Sequence, residues 1–167
     1  MLSGWPSAAL VGAGVGVALV VLDALTQPQL GPAAGDLALL EGRTLAVTVA
    51  GVFYGGITEE IMLRWGLTAL LAWAACRATG RASPRPSPGL VWGAILVSAL
   101  VFGLLHLPAV AALTSITLPV ILRTVVLNAL GGVAFGWLFW RRNLEAAMVA
   151  HAAAHVAMTL IAVVVGG

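Results

Sequence analysis

Three short segments place ionisable side chains inside apolar sequence: TEEIMLR (Thr58–Arg64), FGLLH (Phe102–His106) and HAAAH (His151–His155). On a helix, Glu60 and Arg64 stand four residues apart with the acid first, the order that favours a same-face ion pair. Glu59 lies about 100° round the helix from Glu60 and has no partner in its own segment. His151 and His155 share one helix face a turn apart, and the three alanines between them leave that face open. Two imidazoles at this spacing can bind a divalent metal or address one substrate group. His106 adds the third imidazole of the chain, with Phe102 packing one turn before it. One free carboxylate and three imidazoles have two readings. In one they are a general base with its orienting and oxyanion-stabilising partners. In the other, Glu59, His106, His151 and His155 hold one divalent ion such as zinc. Both chemistries activate water for attack on a carbonyl. No serine or cysteine occupies a comparably polar setting, and the metalloprotease pattern H-E-x-x-H is absent.

The elements that position these groups must lie in a membrane. Of 167 residues, 61% are hydrophobic and 8% charged, against about a quarter charged in a soluble domain, and the mean hydropathy is +1.07. Ionisable groups at membrane depth cost several kcal/mol unless paired or wet, so by default they mark function. Besides the groups above, that set includes Arg123 and Asn128. Arg123 either snorkels, pairs with Glu60 or receives a substrate carboxylate. The net charge of +2 is scattered and gives no reason to expect nucleic acid. The lone Cys76 forms no internal disulfide and reads as a packing residue.

A span needs about 20 apolar residues. The sequence predicts an all-α polytopic bundle of about six membrane helices, with one membrane-embedded domain over residues 1–167. A first helix covers about 5–25, read as a retained span and not a cleaved leader. A proline-bearing loop (26–36) follows. The stretch 37–76 is too long for one span, and implies two spans or a span plus a re-entrant helix. Beyond the linker 77–88 come spans at about 89–107, 119–140 and 145–165, with a short apolar segment at 108–118. Arg77, Arg81 and Arg85 in one loop and Arg141 and Arg142 in another are expected to face the cytoplasm. Gly12-x-x-x-Gly16 and Gly132-x-x-x-Gly136 are either helix-packing faces or the ordinary glycine of membrane helices. No internal repeat is visible, which argues against an inverted-repeat transporter.

EEIMLR matches E-E-x-x-x-R, FGLLH matches F-x-x-x-H, and HAAAH matches H-x-x-x-N with its last position changed. In that order, and with WRRNLEAAMVAHAAAH as a polar turn into the histidine helix, the chain resembles the CAAX-protease and bacteriocin-processing family of intramembrane endopeptidases. The likeness spans about 53–160 and places a protease-like core at about 37–165, leaving the first helix outside. It implies that Glu59 and His106 activate the attacking water, that His151 and position 155 stabilise the oxyanion, and that Glu60 and Arg64 hold the helix or position the substrate. The family's mechanism is glutamate-type and metal-free in the favoured view, with no cofactor required. The histidine at 155, where the pattern has asparagine, makes one divalent metal more plausible here. The implied partners are the lipid bilayer and a membrane-associated peptide, lipidated or not, cut near its C-terminus. The implied setting is a prokaryotic inner membrane, with the cavity open to the cytoplasm.

Two other functions compete. A bacteriocin-immunity or regulatory binding protein could keep the bundle without the chemistry, and a metal or proton carrier could use the same residues. The spacing also carries a tension. A span starting at the arginine linker puts His106 about 25 Å deep, whereas His151 lies about 12 Å beyond Arg142 and Asn143.

Overall fold

The computed structural model describes residues 4–79 and 86–166; Arg81 and Arg85 lie outside them. Among the described residues five helices are long and apolar enough to cross a membrane. They are α1 (Trp5–Thr26), α3 (Leu45–Ala78), α4 (Pro88–Leu105), α6 (Leu118–Arg141) and α7 (Leu144–Gly166), with short helices α2 (Ala34–Leu37) and α5 (Leu107–Ala111) in the connections. The result is an all-helical polytopic bundle. The count is five against the expected six or so, because 45–78 forms one continuous helix and 108–118 yields only α5.

Local signals account for the boundaries. Proline stands in the first turn of α1, α4 and α6, where its missing N–H costs nothing. The Thr44 side chain accepts from the Val47 N–H at 3.2 Å and starts α3. Asn143 accepts from the Ala146 N–H at 2.9 Å, so the RRN break is the cap of α7. Within α3, Gly51–Glu59 and Ile61–Thr68 wind as π-helix, a wide turn that is rare and often found at functional sites.

Many of the buried positions are small, and many large apolar side chains face outward. Ala8, Ala99, Ala147, Ala150 and Ala154 are buried, whereas Leu10, Leu96, Leu100, Leu160 and Val163 are exposed. Lipid is as apolar as leucine, so helices associate through close backbone approach. Both glycine pairs serve that approach. A Cβ on Gly12 would collide with the Ala150 backbone and one on Gly16 would come within 2.7 Å of the Ala154 carbonyl, joining α1 to α7. A Cβ on Gly132 or Gly136 would come within 2.9 Å of the Ala99 or Ile95 side chain, so these glycines let α6 approach α4.

Arg123 meets a different partner from the one anticipated. Its guanidinium binds the Asp23 carboxylate and the Leu37 carbonyl, not Glu60. Asp23 also accepts from the Leu39 N–H at 2.8 Å. The pair therefore ties α1, α6 and the α2 connection together, and Leu30, Ala33 and Leu37 pack on Val120 beside it.

Candidate active site

α3 carries both glutamates and turns them to different tasks. Glu60 is wholly buried, with Oε2 3.1 Å from Arg64 Nε. Its Oε1 accepts from His151 Nδ1 at 2.8 Å. Arg64 also reaches the Gly132 carbonyl at 3.4 Å and lies over the rings of Phe102 and Phe135, 4.9 and 5.7 Å from their centroids. The i,i+4 pair that the spacing predicts is present, and its carboxylate also holds one imidazole. Glu59 is 17% exposed and reaches two imidazoles, with Oε1 3.9 Å from His106 Nε2 and Oε2 3.9 Å from His151 Nε2.

The two imidazoles meet one carboxylate despite the difference in depth that their segments predict. α4 begins at Pro88 as expected, and His106 caps its C-terminal end. Glu59 lies between the two histidines and offers one oxygen to each.

The tautomers follow from the partners. His106 Nδ1 bonds the Phe102 carbonyl at 2.8 Å, and a carbonyl only accepts, so Nδ1 carries the proton and Nε2 faces Glu59. The same reasoning puts a proton on His151 Nδ1, which donates to Glu60. Phe102 also stands edge-on to His106 at 4.8 Å, and Phe135 stacks on His151 at 4.6 Å. His155 stacks on His151 at 5.2 Å and 14°, with its buried Nδ1 lacking a protein partner.

A zinc centre fits this arrangement poorly. Near-parallel stacking keeps the His151 and His155 nitrogens side by side instead of converging. Among the described residues no three His, Cys, Asp or Glu side chains form a metal-ligating group.

Glu59, His106, His151 and His155 line one cavity of about 510 Å³, together with Phe102, Asn128 and Arg123. Asn128 points its amide at the Thr124 carbonyl, 2.8 Å away. The cavity is also lined by residues 36–39 and Arg43 before α3 and by Val110 and Leu113 after α4. Those connections lie at the end of the bundle where Thr48 meets Thr159 (2.7 Å). Arg77 and Arg141–Arg142 lie at the other end, where Trp92 meets Trp140 (6.0 Å) and Arg142 binds the Gly4 carbonyl (2.7 Å). The connections that line the cavity and the arginine turns therefore sit at opposite ends of the bundle.

Sequence reasoning passed over two contributors. Gly51 and Gly55, one turn apart on α3, lie against the two imidazoles. A Cβ on Gly51 would collide with the His155 ring, and one on Gly55 would sit 3.0 and 3.1 Å from Nε2 of His155 and His151. Their spacing matches that of HAAAH, which was the available signal. Asp23 and Arg43 were also passed over, because each stands near a loop where a charge is unremarkable.

A family model described as type II CAAX prenyl endopeptidase Rce1-like matches residues 41–157. The chain belongs to this family. Comparison with curated proteins and with solved structures gives no match. As a member of the Rce1-like family the chain is a membrane-embedded protease acting on a peptide substrate. The match starts beyond α1, so the Asp23–Arg123 pair joins a helix outside the matched range to one within it. All four imidazole and carboxylate groups around Glu59 fall within the Rce1-like range.

Proposed function

We propose that the protein hydrolyses a peptide bond by a metal-free mechanism in which Glu59 is the general base. The observation that supports this most is the placement of Glu59 between His106 Nε2 and His151 Nε2, each at 3.9 Å. Such a gap is wide for a direct hydrogen bond and suits a water bridging the groups. Glu59 takes a proton from a water that His106 Nε2 helps to hold, and the hydroxide adds to the scissile carbonyl. The oxyanion is met by His151 and His155. His151 can donate from Nε2 when its ring carries both protons, a charge that Glu60 and Glu59 offset from either side. On collapse, the proton held by Glu59 passes to the departing amine, so one water is consumed per bond cut. Glu60, Arg64 and Phe102 position the imidazoles.

Positive-inside placement of Arg77, Arg141 and Arg142 then directs the connection 36–43 that lines the cavity to the extracytoplasmic face. A membrane-associated peptide, lipidated or not, enters there.

The test is cleavage by purified protein in lipid nanodiscs, using peptides from a degenerate library. Glu59→Gln and His106→Ala should each lower the rate by about 100-fold or more while leaving the thermal midpoint unchanged, and a chelator should leave wild-type cleavage intact. Full activity in both variants would overturn the mechanism. A biological effect that survives Glu59→Gln would instead favour the binding-protein role.

A further inference from the structure

The cavity contains a cation that the chemistry around Glu59 does not use. Gly42, with φ +65°, turns the chain so that Arg43 lines the cavity just before α3. Its guanidinium is held by neutral acceptors alone. Nε donates to the Leu39 carbonyl (2.9 Å), one Nη to the His155 carbonyl (3.3 Å) and the other to Met158 Sδ (3.4 Å). Among the described residues, which include all six acids, no carboxylate lies within ion-pairing distance of it. A guanidinium has five N–H donors, so two remain for a ligand. Burial pulls the Arg43 pKa below its ordinary value, with no carboxylate to offset it. The other arginine on this cavity, Arg123, is already neutralised by Asp23. An uncompensated, partly desolvated guanidinium facing a cavity matches a carboxylate, which it can bind in bidentate fashion.

Position sets the scale. Arg43 touches α7 at His155 and Met158, one to two turns beyond His151, which is roughly 6–10 Å along the helix. An extended peptide advances about 3.3 Å per residue. A carboxylate on Arg43 thus leaves two to three residues between it and the bond facing Glu59.

We propose that Arg43 binds the free C-terminal α-carboxylate of the substrate and so sets how many residues are removed. This inference rests on the proteolytic reading of the same cavity for its consequence, but binding can be measured without cleavage. The probe is a hydrophobic N-acetylated pentapeptide, as free acid and as C-terminal amide, titrated into nanodisc-embedded Glu59→Gln protein by calorimetry. The free acid should bind about 10- to 100-fold more tightly than the amide, the range for a hydrogen-bonded charge. Arg43→Gln keeps a donor for the His155 carbonyl and should bring the two affinities together. Arg43→Lys should keep a preference for the acid. Equal affinities in the Arg43 protein, no measurable binding of the acid, or a preference that survives Arg43→Gln overturns the proposal. If the preference is present but wild-type protein cuts neither peptide nor the library, the carboxylate site stands and the proteolytic reading fails. If wild-type protein cuts acid and amide equally, the reverse holds.

Discussion

Adjacent glutamates on α3 divide their work because each meets a different side of the bundle. Glu60 is enclosed between Arg64 and His151, and both partners depend on it. Removing one member of a buried pair leaves an uncompensated charge and typically costs about 3–5 kcal/mol. Glu60→Gln is expected to lower stability by that order, read as a fall in thermal midpoint in detergent, whereas Glu59→Gln leaves the midpoint in place. Equal midpoints for both variants would show that Glu60 has no such structural role. The Glu60–Arg64 pair was legible from spacing alone, because i,i+4 contact is a property of one helix. The bond from Glu60 to His151 was not, since 91 residues separate them and no local rule relates the two segments.

Among elements, α3 and α7 make the site by fitting a row of glycines to a row of imidazoles. Gly51 and Gly55 leave the room that His155 and His151 occupy. Gly51→Ala should force the His155 ring aside, costing about 1–3 kcal/mol as overpacking does and reducing cleavage. Gly14→Ala on α1 meets nothing within 4 Å and should be neutral or slightly stabilising, since alanine is the better helix former. Thermal midpoints and cleavage rates of the two variants check this, and matching behaviour would discount the close approach. The helices at 5–25, 119–140 and 145–165 were read from hydropathy to within a few residues. The stretch 37–76 was not, because hydropathy measures the length of an apolar run but not whether its backbone stays continuous through a charged segment. α3 stays continuous because Glu60 and Arg64 neutralise each other within it.

For the whole molecule, the connections that line the cavity and the arginine turns lie at opposite ends. Cysteine labelling decides which end is outside. On a Cys76→Ala background, Asp36→Cys in the connection that lines the cavity should react with a membrane-impermeant maleimide in intact cells, and Thr79→Cys at the arginine end should not. The reverse pattern would place that connection in the cytoplasm.

By itself the sequence determined that the chain is a helical membrane protein, which ionisable residues lie in apolar segments, and that Glu60 belongs with Arg64. These follow from composition, segment length and helical periodicity, all local properties. Only the tertiary structure decided that Asp23 takes Arg123, that Glu59 lies between His106 and His151, and that Arg43 stays uncompensated on the cavity. Each depends on which helices cross and at what depth. That is settled by the close packing of Gly12, Gly16, Gly132 and Gly136 against neighbouring backbones and side chains, which no single segment encodes.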